Sequence, residues 1–396
     1  MLSNKILFPK KVNKLQKKSI LLESFYYALP LLALGLHQYA CACGISLTFD
    51  SFQYLNAAED FAQHRAITMS DGSPFVAYPP FFPWVLSWFG ENRLAWMPFF
   101  QGFLLVSNLS IWLYLGACYI SSVFLRFIFG LSICLSAPFL LIHSFLWSEP
   151  LFVCLLSIIF LYFHFNNEKL DFRGLCFLLL MCGLLILQRN AGIWWSIGVL
   201  LGVLILLKHT QVYFKWILLL SIGVVLWLGW YKQSLHTDAY KHDSLFTFLQ
   251  EIIENIGICA AQLGSWFLPL SVPEIVRILL ASLILGVIAW VLIKGKKSVA
   301  RWILLLVIAH LIYEGGLLIL KPSALHYSDL ERFMAVMLPG FFLIWFYILD
   351  VFLLLYPKKI VSYSLYIVLM FSLVYPTYRS VKNTHFWKEN QCKSIK

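Results

Sequence analysis

The stretch Phe49–Phe82, FDSFQYLNAAEDFAQHRAITMSDGSPFVAYPPFF, is polar and hangs between two long apolar segments, Leu21–Ala40 and Leu94–Ile120. A helix needs about 20 apolar residues to cross hydrocarbon, and both flanking segments reach that length. The loop between them gathers Asp50, Glu59, Asp60 and Asp71. Carboxylates are costly in lipid, so a loop that collects them at the water-facing end of membrane spans is a natural place for chemistry.

The rest of the 396-residue chain is 61% hydrophobic and 12% charged, with repeated apolar windows of span length. This composition predicts an all-α polytopic membrane protein of about ten to eleven transmembrane helices, with no soluble domain of useful size. Trp and Tyr near span ends fit the lipid-water interface. The formal charge of +11 would suggest nucleic acid in a soluble protein, but here its distribution argues for topology. Lys5, Lys10, Lys11, Lys14, Lys17 and Lys18 precede the first span, which places residues 1–20 in the cytoplasm by the positive-inside rule. Leu21–Ala40 is too long for a signal peptide and reads as the first span. Residues 21–376 then form a single transmembrane domain with a first outer loop at about 45–93, and 377–396 form a basic tail.

Of nine cysteines, Cys134, Cys154, Cys176 and Cys182 fall inside apolar spans as small hydrophobes. No disulfide framework is implied, and Cys41 and Cys43 at the outer end of the first span are too isolated for a metal site. No cofactor is called for, and a divalent metal stays open, since no metal-ligand pattern indicates one.

Beyond the loop, Leu94–Ile120 returns inward, and Val123–Leu146 crosses outward to a break at Trp147-Ser148-Glu149-Pro150. The next span ends near Phe165, and Lys169 and Arg173 lie inside. Gly174–Leu207 is too long for one helix and is interrupted at Gln188-Arg189-Asn190, which puts Arg189 at the outer bilayer edge. Trp216–Tyr231 crosses outward to a second outer loop, 232–254, and Ile256–Ser271 fits either a re-entrant or an interfacial segment. Ile275–Ile293, Trp302–Leu320 and Phe333–Tyr356 complete the order, with a third outer loop that carries Lys321, His326, Tyr327, Asp329, Glu331 and Arg332. A last span, Ile360–Tyr375, places the basic tail outside, against the charge rule. Every polar break otherwise faces one side, so Asp50, Glu149, Arg189 and Arg332 converge on one outer surface.

Phe52, Leu55, Ala58 and Ala62 recur at helical spacing, which predicts an interfacial helix beginning near Asp50. Asp50 itself has two readings, a helix cap with Gln53 completing a capping box, or a general base that takes the proton of an attacking hydroxyl. Arg189 and Arg332, with Lys321, suit a phosphate through paired hydrogen bonds, or else snorkel and form structural ion pairs with Glu149 or Glu331. Glu149, before Pro150, starts a helix where negative charge is favourable. Tyr78-Pro79-Pro80 is a stiff aromatic turn that walls an acceptor site or anchors the loop.

Taken together, FDSFQYLNAAEDFA, YPPFFPWVLSWFG, SEPLF at Ser148–Phe152, QRNAG at Gln188–Gly192 and ERFMAVMLP at Glu331–Pro339 resemble the GT-C superfamily of membrane glycosyltransferases. The pattern is closest to protein O-mannosyltransferases, aminoarabinose transferases and rhizobial galacturonosyltransferases. The resemblance implies transfer of one sugar from a polyprenyl-phosphate donor to a glycan, lipid or protein acceptor at the periplasmic face of a bacterial inner membrane, with inversion. It makes Asp50 the base, and Arg189, Arg332 and Lys321 the holders of the lipid phosphate. Tyr54, Tyr78, Glu149, His326 and Tyr327 line the cleft. Ser51 follows Asp50 where relatives carry a second acid, so the paired-acid role passes to Glu59 or Asp60; Phe333 stands where a Tyr often follows the arginine.

A transporter or flippase is the main rival, because His310 and Glu314 lie four apart on one face of a span and Asp350 lies within another. No inverted repeat supports it. An envelope glycan polymerase or acyltransferase would also act outside on lipid-linked substrates.

Overall fold

The computed structural model describes residues 16–65, 68, 75, 78–166, 172–206, 244–294, 300–319, 327–357 and 359–394. These residues are mainly helical, without a strand; an isolated parallel bridge joins Ser46 to Phe145. In chain order the helices are α1 (Gln16–Ala40), α2 (Phe49–His64), α3 (Phe81–Ser87), α4 (Arg93–Tyr119), α5 (Val123–Cys134), α6 (Ala137–Ser144), α7 (Glu149–Phe165) and α8 (Phe172–Gln188). They continue as α9 (Gly192–Leu206), α10 (Leu245–Gly264), α11 (Glu274–Lys294), α12 (Arg301–Leu318), α13 (Tyr327–Ala335), α14 (Leu338–Leu355), α15 (Lys359–Ser372) and α16 (Val374–Ser394). Among the described residues, six helical segments are long and apolar enough to cross a membrane: 90–119, 123–144, 274–294, 301–318, 338–355 and 359–393. The Trp216–Tyr231 span, Lys169, Asp71, Lys321 and His326 lie outside the described residues.

The boundaries follow local chemistry. The Val123–Leu146 crossing is two helices, because Ser136 accepts the Phe139 N–H at 3.4 Å and Pro138 opens a new first turn. The long apolar stretch after residue 172 breaks where expected, at Arg189-Asn190. There the Gly192 N–H donates to the Arg189 carbonyl at 2.8 Å, and a Cβ on Gly192 would collide with the Leu185 carbonyl. At 17 residues each, α7 and α8 extend about 25 Å, shorter than a bilayer core of about 30 Å. Residues 245–264 form one continuous helix, α10, which folds as a hairpin onto α11; it begins well before the Ile256 boundary suggested by hydropathy.

The main core runs through α4, α5, α7, α12 and α14, with Leu105, Leu109, Phe129, Phe160, Trp302 and Phe346 all buried. Helix α9 lies against α12, where Gly198 and Gly202 let the backbones approach around Ala309 and Leu305. A second cluster under the first loop packs Tyr54, Ala57, Ala58, Phe82, Leu86, Met97 and Leu146. Of the stripe Phe52, Leu55, Ala58 and Ala62, Ala58 and Leu55 join this cluster. Phe52 is half-exposed and Ala62 is exposed, whereas Tyr54 and Ala57 turn inward, because α2 packs on α3 and Tyr54 sits edge-on to Tyr78 and Phe82.

A further correction concerns the cysteines. Cys43 and Cys392 form a disulfide across 349 residues, which no local spacing could signal. Where the sequence suggests a basic tail from residue 377, the chain continues as α16, packed on α1 and α6.

Candidate active site

The first turn of α2 is built by its own sequence. Thr48 precedes the helix, and its N–H donates to Ser51 Oγ at 2.9 Å, so Thr48 and Ser51 cap the helix rather than Asp50 and Gln53. Ser51 Oγ donates in turn to the Leu146 carbonyl at 3.0 Å, and Trp147 Nε1 donates to Thr48 Oγ1 at 2.8 Å. With the Leu146 N–H donating to the Ser46 carbonyl at 2.9 Å, these bonds lock the start of α2 to the turn before α7.

Asp50, relieved of capping, points its carboxylate at two donors. Tyr78 OH donates to Oδ1 at 2.6 Å, and Arg332 Nη1 donates to Oδ2 at 2.6 Å. Arg332, on α13, also donates from Nε to Glu149 Oε1, and its guanidinium lies 4.4 Å from the Trp147 ring. Glu149 is fully buried as the first residue of α7, and its Oε1 is shared with Arg189 Nη1. Glu149 Oε2 is buried with no hydrogen-bond partner among the described residues. Arg189 Nη1 further donates to Ser148 Oγ at 3.1 Å, which lies 3.3 Å from Tyr54 OH, and Gln188 Nε2 donates to the Ser148 carbonyl at 2.8 Å. Four segments far apart in sequence thus supply one alternating cluster, Asp50, Arg332, Glu149, Arg189.

Other expected residues stand elsewhere. Glu59 pairs with Arg93 Nη2 at 2.5 Å, and Asp60 accepts from Thr68 Oγ1 at 2.8 Å with His64 Nδ1 at 3.0 Å. Both lie at least nine residues along α2 from Asp50, about 13 Å of helix rise, so the structure does not bring them to its carboxylate. Tyr327 opens α13, five residues before Arg332. Trp147 and Ser148 read in the sequence only as a break in hydropathy, yet they floor the cluster; their adjacency to Glu149 was the available signal. Phe333, 5.7 Å from the Arg189 guanidinium, contributes a ring face. Among the described residues, no group of three or more His, Cys, Asp and Glu converges in metal-binding fashion.

The electrostatics follow from burial and charge. Burial would raise the Asp50 pKa, but the Arg332 charge, the hydrogen bonds from Tyr78 and Arg332, and the more distant Arg189 outweigh it and hold the carboxyl below its ordinary value. Burial first, then the Asp50 carboxylate, push the Tyr78 hydroxyl up, so it stays a proton donor. The cluster therefore carries two ionisable acceptors and two guanidiniums at the meeting of short apolar helices and a polar loop. Such an arrangement can take a proton on Asp50 and present cationic donors to a phosphate.

No protein-family model matches the chain, and no curated protein sequence matches it.

Proposed function

We propose that the protein is a GT-C-like membrane glycosyltransferase that moves a monosaccharide from a polyprenyl-phosphate sugar to a hydroxyl of a cell-envelope glycan, lipid or protein. The observation that carries this reading is the convergence of Asp50 with Arg332, Glu149 and Arg189 at the end of the apolar helices. In the proposed reaction Asp50 takes the acceptor proton, and the acceptor oxygen bonds to the anomeric carbon. The bond from that carbon to the phosphate oxygen breaks with inversion. The electron pair leaves with the lipid phosphate, whose charge Arg332 and Arg189 stabilise.

The resting ion pairs give this scheme an order. A carboxylate paired with Arg332 is a weak base, and a donor phosphate that draws Arg332 away raises its basicity. Glu149 then keeps Arg189 and Arg332 poised when no donor is bound. We further propose ten to eleven transmembrane helices in GT-C arrangement, an active site on the periplasmic side of a bacterial inner membrane, and no nucleic-acid partner. The outer placement is supported by the Cys43–Cys392 disulfide, since such bonds persist in oxidising compartments.

Transport is less well supported, because two of its three residues have structural partners. Asp350 accepts the Ser121 N–H at 2.7 Å and the Ser122 N–H at 3.1 Å at the start of α5, and the His310 ring lies between the Leu306 and Met337 carbonyls. The test is consumption of polyprenyl-phosphate sugars by purified protein across a panel of sugars and hydroxyl acceptors. Transfer supports the assignment; substrate movement across a vesicle membrane without any bond cleavage overturns it.

A further inference from the structure

The C-terminal helix is tied to the site from two sides. Arg379 on α16 places Nη2 2.6 and 2.8 Å from the two carboxylate oxygens of Glu331, the residue beside Arg332 on α13. Both side chains of that pair are largely buried, at 12% and 15% exposure, so solvent screens it weakly. At the next residue, Ser380 Oγ donates to the Leu135 carbonyl at the break between α5 and α6. Just past the middle of α16, Tyr39 OH meets His385 Nδ1 at 3.0 Å, and Lys388 Nζ lies 4.1 Å from the Tyr39 ring. Finally Cys392 is bonded to Cys43, five residues before the N-cap of α2. Helix α16 thus grips α13, which carries Arg332, and the segment leading to Asp50.

We infer that α16 is an outer clamp on the active site, with Arg379 a positioning residue that sets Arg332 through Glu331, and with the Cys43–Cys392 bond anchoring the clamp to the loop before α2. The inference rests on the reading of Arg332 as a phosphate-binding residue. α13 is only nine residues long and packs on α6 and α10. A short helix of that kind needs a tertiary contact to fix its side chains. The Arg379 pair supplies one on the residue adjacent to the functional arginine. The disulfide also explains how a basic segment stays on the same side as the outer loop against the positive-inside preference: a covalent bond requires both cysteines in one compartment.

The experiment uses full-length protein in nanodiscs and measures binding of undecaprenyl phosphate to wild type, Arg332→Gln, Arg379→Gln, Glu331→Gln, the Arg379→Gln/Glu331→Gln double variant and Arg379→Lys. Arg379→Gln and Glu331→Gln are each expected to weaken binding about fivefold to thirtyfold. The double variant should be no weaker than either single one, and Arg379→Lys should recover part of the loss. If Arg332→Gln binds like wild type, the phosphate reading itself fails. If Arg332→Gln weakens binding but Arg379→Gln and Glu331→Gln do not, or if their effects simply add, the clamp is refuted while the site stands. Peptide mapping without reductant should recover the Cys43–Cys392 linkage; free thiols at both positions would remove the anchor from the account.

Discussion

Replacing Arg332 by Met tests whether the cluster behaves as one electrostatic unit. Arg332 is 7% exposed and donates to both Asp50 and Glu149, so its loss leaves two carboxylates facing Arg189 alone. Glu149 is fully buried, and breaking a buried pair by removing one partner costs about 3–5 kcal/mol. Glu149→Gln alone should cost a similar amount, because it leaves two guanidiniums against Asp50. Combining the two restores charge balance between Asp50 and Arg189, so the double variant should be less destabilised than the sum by about 2–3 kcal/mol. The assay is reversible unfolding in mixed micelles titrated with dodecyl sulfate, followed by far-ultraviolet circular dichroism. Additivity within about 0.5 kcal/mol would show that Glu149 and Arg332 do not interact as described.

The pH dependence has a definite sign. Asp50 is active when deprotonated and its pKa is held down, chiefly by Arg332 against the opposing effect of burial, so the acidic limb of kcat/KM should lie below the ordinary Asp value of about 3.9. The kcat limb, which reports the donor complex, should lie higher, and Arg332→Gln should move the kcat/KM limb upward; identical limbs in both proteins would contradict the pairing. For stability the same depression means that the contribution of Asp50 is present above the unfolded pKa and lost as pH falls through the folded one. Arg189→Ala should raise the KM for the polyprenyl donor more than that for the acceptor, and an equal rise in both, in a folded protein, would count against phosphate binding. Trp147→Leu, which removes a ring 4.4 Å from Arg332, should lower stability by about 0.5–2 kcal/mol in thermal denaturation, and no change would discount that contact. Gly192→Ala should reduce folded yield in size-exclusion chromatography, because its Cβ would strike the Leu185 carbonyl at the turn that holds Arg189.

Hydropathy located most helix ends, because burial in lipid or core demands apolar runs whatever the tertiary arrangement. The polar interruptions at Asp50, Glu149, Arg189 and Arg332 were legible as a set, since charge within hydrocarbon is costly and the span order puts all four breaks on one side. Their pairing was legible in part: ion pairs of Arg189 and Arg332 with Glu149 were one of the two readings of those arginines and both form, whereas the contact of Arg332 with Asp50 was not foreseen. Spacing along the chain says nothing about which carboxylate meets which guanidinium, and Asp50 reads as readily as a cap until Thr48 and Ser51 are seen to cap α2 instead. Glu59 and Asp60 are the acids to which the resemblance passes the paired-acid role, but the helical rise of α2 carries them toward Arg93 and Thr68. Tyr54 and Ala57 join Ala58 on the face of α2 that packs on α3, a contact that helical spacing within α2 does not reveal. The Cys43–Cys392 bond and the Arg379–Glu331 pair were invisible for a simpler reason, since both join segments with no sequence proximity.

The most direct measurement is the turnover of wild-type protein and Asp50→Asn at saturating polyprenyl-phosphate sugar, with donor binding followed in the same preparations. Asn keeps the shape of Asp50 and can still meet Tyr78, but it cannot accept the acceptor proton. Transfer should fall by about 10²–10⁴ while donor binding persists. An active wild type matched by Asp50→Asn would contradict the assignment of Asp50 as the base.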